Sequence, residues 1–93
     1  MFQWNEDKNA SNIQKHGIDF VDAVQIFDEP HLLVPSKYAA EERWIAIGLL
    51  SNKEIAVIHM YRGAVTRIIS ARRARRNERK QYHNYLARGG PES

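Results

Sequence analysis

The chain has no cysteine among its 93 residues, which excludes disulfides and thiolate metal sites and is compatible with a reducing cytoplasm. It also has no long apolar run. Its opening residues, Met1-Phe2-Gln3-Trp4-Asn5-Glu6-Asp7, carry no basic segment, so neither a signal peptide nor a membrane span is expected and the expected location is cytoplasmic. GxGxxG, Walker-type, GxSxG and HExxH patterns are all absent, which leaves nucleotide-cofactor, serine-hydrolase and metallohydrolase readings without support. The four histidines, His16, His31, His59 and His83, show no pair at metal-ligand spacing. No metal and no cofactor are therefore expected.

The most telling shortage is of acid near the C-terminus. Residues 62 to 93 carry nine basic side chains against Glu78 and Glu92, a balance of +7, whereas residues 1 to 61 balance at −4, giving the net +3 of the chain. Between Arg67 and Tyr82, in the run RIISARRARRNERKQY, six arginines and a lysine face one acid. Such asymmetry implies an anionic partner: nucleic acid, an acidic protein surface or anionic lipid.

With 43% hydrophobic residues, the chain has enough apolar material for one compact core, so residues 1–93 read as a single α+β domain. Phe2-Gln3-Trp4 alternates as a short edge strand. Asn5 is a natural N-cap for a helix running to about His16, which Gly17 stops. Lys8, Asn12 and Lys15 then share one helix face. Asp19 opens a second helix whose stripe is Phe20, Ala23, Val24 and Phe27, ended by Asp28-Glu29-Pro30. His31 to Val34 reads as a short strand and Pro35 to Glu42 as a polar loop. Arg43 to Leu50, Glu54 to Tyr61 and Val65 to Ala71 read as an antiparallel meander, with Ser51-Asn52 and Arg62-Gly63 at the turns. A last helix is expected from about Ala74 to Leu86.

In that helix Arg72/Arg76, Arg75/Arg79 and Arg76/Lys80 would be like-charged pairs, each costing roughly 0.2–0.5 kcal/mol. Stability alone does not explain them. A solvated helix face competes with a surface for phosphates, and arginine, whose planar fork grips two oxygens, favours phosphate. Arg67 shares strand parity with Val65 and Ile69. Arg43 is either part of the basic surface or an edge arginine satisfied by Glu41 or Glu42. His59 suits a hydrogen-bonded sheet position, His31 and His83 suit the surface, and His16 is either an acid–base group or a C-cap. Tyr61 is available for stacking on bases, and Tyr82 and Tyr85 for docking the last helix.

Taken in order, Phe2-Gln3-Trp4, Lys8, Asn12, Lys15-His16-Gly17-Ile18, Phe20, Ala23 and Phe27 to Pro30 resemble the BrnT toxins. So do Glu42-Arg43, Gly48, Arg62-Gly63, and Arg67-Ile68-Ile69-Ser70-Ala71-Arg72 with Ala74, Glu78 and Tyr82. Asn5 stands where the family usually has an acid, a change that touches a helix cap. The resemblance implies a RelE-like fold, an N-terminal helix pair on a small antiparallel sheet with a C-terminal helix. It implies a type II toxin that cuts RNA without a metal and blocks translation, held in a hetero-oligomer by a BrnA-like ribbon-helix-helix antitoxin, with promoter DNA bound only through that complex and no membrane partner. Combining charge placement with the resemblance, charge stabilisation is assigned to Arg62, Arg67 and Arg72, and proton transfer to His16 and Lys15. RNA contact is assigned to Lys8, Arg43, Arg73, Arg75, Arg76 and Arg79. The alternative is a binding module that holds nucleic acid or an acidic protein with the same basic strip and performs no chemistry.

Overall fold

The structure, a computed structural model, describes residues 1–37 and 42–90. Strand β1 (Phe2–Gln3) leads into helix α1 (Glu6–His16), which begins where the Asn5 side chain accepts the N–H groups of Asp7 and Lys8. Glu6 and Asp7 stand at the positive end of its dipole and Lys15 and His16 at the negative end. It stops at Gly17, whose φ of +72° only glycine adopts without strain.

The second helical segment departs from the expected single helix. Helix α2 (Phe20–Ala23) tightens at once into a 3₁₀ turn over Val24–Asp28. The fully buried residues are Phe20, Ala23 and Ile26, a spacing of three that a 3₁₀ turn keeps on one line. The apolar stripe was therefore right at Phe20 and Ala23, while Ile26 takes the innermost place in the turn and Val24 and Phe27 pack only partly buried beside it. Gly48 makes room for it: a Cβ there would stand 3.0 Å from Ile26 Cβ.

Strands β2 (Leu32–Pro35), β3 (Trp44–Leu50), β4 (Lys53–Arg62) and β5 (Val65–Arg73) form a five-stranded sheet with β1, in the order β1-β5-β4-β3-β2. The meander of β3, β4 and β5 is antiparallel as expected, and Ser51 and Asn52 turn its first hairpin with φ values of 51° and 66°. β1 lies parallel to β5, so the sheet is mixed rather than purely antiparallel.

One sheet face carries the main core, in which Phe20, Ala23 and Ile26 pack against Ala46, Ile55, Val57, Ile68 and Ala71. The other face packs Ile47 and Ala56 against Ala74, Tyr82 and Leu86. Tyr82 and Leu86 belong to helix α3 (Arg76–Ala87), which covers only part of that face; Ile58 and Met60, further along β4, stay half-buried. Tyr82 docks the helix, as expected. The helix starts later than the sequence suggests, because β5 runs through Arg73 and Ala74 N–H still bonds Glu54 O at 3.0 Å. Arg72 and Arg75 thus precede the helix, and of the three like-charged pairs only Arg76/Lys80 is wholly helical. Electrostatic strain in α3 is correspondingly small.

β5 contains a bulge. Ile58 pairs with Ser70 and His59 with Ile68, leaving Ile69 as the extra residue. Beside it, α1 seals the edge of β5 by an unusual means: its two buried residues are Asn9 and Asn12. Asn12 Oδ1 accepts Ala71 N–H at 3.1 Å, and Asn12 Nδ2 donates to Ala71 O at 2.8 Å and to Ile18 O at 2.9 Å. One side-chain amide thus does for Ala71 what a neighbouring strand would do. Asn9 works similarly, accepting Phe20 N–H and donating to Asp19.

Replacing Asn12 by Ala orphans both polar groups of Ala71 and should lower the unfolding free energy by about 3 kcal/mol. Asn12→Asp keeps the acceptor but sets a carboxylate against two carbonyls, and should cost at least as much. Chemical denaturation checks both, and a loss below about 1 kcal/mol in Asn12→Ala would contradict the clamp.

Candidate functional site

Arg67 and Arg72 are five residues apart, so a regular strand would send them to opposite faces. The bulge at Ile69 reverses this. Arg67 pairs with Met60 and Arg72 with Ala56, two residues of the same β4 parity, so both arginines leave the face that α3 partly covers. Arg67 keeps the side of Val65, as expected, but not that of Ile69, which lines a groove beneath α1. Arg62, opposite Val65, falls on the Arg67 face by the same register. Arg43 stands just before β3, its carbonyl accepting Ser36 N–H at 2.8 Å, and the β3–β4 pairing begins one residue later at Trp44 and His59. Met60, Arg67 and Gln3 form one row across the sheet, with Arg62 on the same face.

The partners of these arginines differ. Arg67 Nη1 donates to Gln3 Oε1 at 3.3 Å, a long contact that leaves most of the fork free. Arg43 Nε is buried with no hydrogen-bond partner among the described residues. Glu42 is exposed and makes no bond to it, and Glu41 lies outside the described residues. Arg72 is committed: both terminal nitrogens grip Glu78, at 2.8 and 2.9 Å, with side-chain exposures of 16% and 10%. Glu78 Oε1 also accepts Arg75 N–H at 2.7 Å, capping α3. Burial alone would raise the Glu78 carboxyl, but the hydrogen bonds from Arg72 and Arg75 outweigh it and hold the group below the ordinary glutamate range. Among the remaining basic residues, Arg73 contacts Glu54 at 3.4 Å, Arg79 donates to Ala74 O, and Arg75 and Arg76 are exposed.

The proton-transfer candidates stand elsewhere. Lys8, Lys15 and His16 line a groove of about 320 Å³ between α1 and the bulge, together with Ser70 and Ile69. The structure thus sets Arg62 and Arg67 on one sheet face, brings Lys8, Lys15 and His16 together at the β5 edge, and separates the two groups. A larger cavity, about 660 Å³, lies apart from both; among the described residues its lining includes Asp28, Glu29, Tyr82 and Leu86 and no basic side chain, a charge that disfavours phosphate. Among the described residues, no cluster of His, Asp and Glu could hold a metal, and no helix is long and apolar enough to cross a membrane.

The match to known proteins agrees with this architecture. Residues 4–78 match the family model for BrnT, the ribonuclease toxin of a type II toxin–antitoxin system. The chain belongs to the BrnT toxin family. Within the BrnT fold, the crystal structure of the Brucella abortus ribonuclease toxin BrnT matches at 35% identity and a TM-score of 0.68, covering 82% of this chain and 99% of that one. No curated protein sequence matches. As a BrnT toxin, the chain is a ribonuclease toxin of a type II system, and its partly open sheet face presents arginines from β4 and β5.

Two functional neighbours in this BrnT chain were not legible from the run of arginines. The sequence shows Glu78 as the lone acid of the run, and only the fold makes it Arg72's bidentate partner. Gln3 reaches Arg67 only because β1 lies parallel to β5. His59 proved to be the hydrogen-bonded sheet residue expected. Its Nδ1 faces the Val57 carbonyl, which only accepts, so Nδ1 carries the proton and Nε2 accepts from the Tyr61 hydroxyl, each at 3.1 Å. Burial pushes the His59 pKa below its ordinary value.

Glu78→Ala should lower stability by about 3 kcal/mol, since it leaves the Arg72 guanidinium half-buried without its partner; thermal and denaturant unfolding measure this. The pH dependence has a definite sign for His59. Its folded pKa lies below the unfolded 6.5, so its contribution is full above that value and is lost as pH falls toward the folded pKa. Unfolding free energy measured from pH 7.5 down to 5 should decline below 6.5. No change in that window would contradict a neutral His59.

Proposed function

We propose that this toxin is a metal-independent endoribonuclease that cuts messenger RNA, blocks translation and is neutralised by a BrnA-like ribbon-helix-helix antitoxin. On this reading the complex, not the toxin alone, binds promoter DNA. The observation that carries it is the placement of Arg67, opposite Met60, and Arg62 on one sheet face that α3 leaves partly open.

In the reaction, a base removes the proton of a 2′-hydroxyl, and its oxygen attacks the adjacent phosphorus. The P–O5′ bond breaks, an acid protonates the leaving oxygen, and the products are a 2′,3′-cyclic phosphate and a 5′-hydroxyl. Extra negative charge develops on the phosphoryl oxygens, and cations fixed in advance on rigid strands stabilise it without reorganising. Arg67 and Arg62 are assigned that role, with Arg43 as the third cation. Arg72 contributes mainly by holding α3 through Glu78, because a phosphate must displace a bidentate carboxylate to reach it. His16, Lys15 and Lys8, which line the α1 groove apart from these arginines, are assigned contacts to the RNA where it crosses the β5 edge beside the bulge, and the proton transfers are assigned to no residue of that groove. Arg73, Arg75, Arg76 and Arg79 extend the positive surface along the strand's path.

Incubation with a defined RNA in excess EDTA, with and without ribosomes, should yield new cyclic-phosphate and 5′-hydroxyl ends. Arg67→Ala should fold normally and lose about 100-fold or more in rate. Arg72→Ala should lose stability first, and activity chiefly through it. Intact RNA with tight binding retained would leave the arginines as an anion clamp and overturn the catalytic reading.

A further inference from the structure

Three of the seven large hydrophobics exposed among the described residues gather at one corner of the sheet: Met1, Phe2 and Tyr61. Their placement follows from register. Phe2 pairs with Thr66 and Thr66 with Tyr61, so the two rings flank Thr66 in a single row on the face opposite Arg67, their Cα atoms about 10 Å apart. Phe2 is 39% and Tyr61 48% exposed, so each offers ring surface to solvent.

Both rings are anchored from below. Phe2 packs on Phe27 with ring centres 5.3 Å apart, Phe27 on His59 at 5.0 Å, and His59 on Tyr61 at 5.1 Å, the last two edge-on. His59 is fully buried and protonated on Nδ1, so the Tyr61 hydroxyl donates to Nε2, and the Tyr61 ring is held by that bond as well as by the edge-on contact. An exposed aromatic fixed in this way has already lost most of its rotamer freedom before any ligand arrives.

The charge around the row identifies what it suits. No acidic residue occurs between Ile55 and Asn77, and Arg62 and Arg67, next to Tyr61 and Thr66 in the chain, leave the other face of the same strand ends, within reach of phosphates that pass around the hairpin. A flat apolar surface next to cations is how proteins hold an unpaired nucleotide, with the base on the ring and the phosphate on the guanidinium. We propose that Phe2 and Tyr61 form a stacking subsite for one base of single-stranded RNA, with His59 as the positioning residue that holds Tyr61. The subsite rests on the ribonuclease reading for its substrate. It lies around the β4–β5 hairpin end from Arg67, so it takes a nucleotide flanking the cleaved bond.

The test compares wild type with Tyr61→Ala and Tyr61→Phe, both at a half-exposed position that leaves the core intact. Tyr61→Ala should raise KM for a defined RNA by about 10-fold while kcat stays within about 2-fold. Tyr61→Phe, which keeps the ring but loses its anchor to His59, should fall between the two. An all-2′-deoxy oligonucleotide scanned with 2-aminopurine provides a readout independent of cleavage. At one position its fluorescence should be quenched on binding wild type and not on binding Tyr61→Ala, with binding itself followed by anisotropy. Unchanged KM together with unchanged quenching in Tyr61→Ala overturns the subsite. If wild type cuts no RNA, the ribonuclease reading fails, and the quenching result still decides whether a base stacks at Tyr61.

Discussion

The amide of Asn12 holds both backbone polar groups of Ala71, and the rest of the molecule depends on where that grip fixes β5. A bulge alone is a soft feature, since an unpaired residue can in principle migrate along its strand. Here the clamp sits two residues beyond the extra Ile69, and β1 grips Thr66 and Arg67 on the other side of it. With both flanks pinned, the change of parity is locked between them. A slip of one residue would exchange the faces of every side chain in the strand, sending Ala71 out of the core and Arg67 into it.

The consequence is a division of labour between two arginines that look equivalent in the sequence. Arg72, on the core side of the bulge, meets the start of α3 and is consumed by Glu78. Arg67, on the far side, meets only Gln3 and keeps most of its hydrogen-bonding capacity. A committed arginine and a nearly free one are thereby separated along one strand. The Arg72–Glu78 pair ties α3 to the sheet while the helix covers Ile47 and Ala56 and stops short of Met60.

Much of this was readable in advance, for definite reasons. Asn5, Gly17 and the turn at Ser51-Asn52 act over a few residues, so caps and hairpin followed from local chemistry. The family likeness in KHGI and RIISAR pointed to the fold. The bulge was invisible because Arg67-Ile68-Ile69-Ser70-Ala71 reads as an unbroken strand, and only the pairing with β4 shows that it holds one residue too many. Asn12 was placed correctly on the helix face with Lys8 and Lys15, yet its role depends on a contact 59 residues away. The same holds for the parallel β1, whose partner lies at the other end of the chain. Arg62 and Arg67 share a face by their register with β4, and Lys15 and His16 lie apart from them at the β5 edge.

The claim at the centre is that the open sheet face, and not the α1 groove, receives the phosphate that reacts. NMR titration of the toxin with an RNA made uncleavable by a single 2′-deoxy substitution at the cut site tests it directly. The account predicts the largest shifts at Arg43, Met60, Arg62 and Arg67, including the Arg67 side-chain Nε–H, with smaller ones at Lys8, Lys15 and His16. Shifts confined to α1, with the Met60 row unmoved, would contradict it.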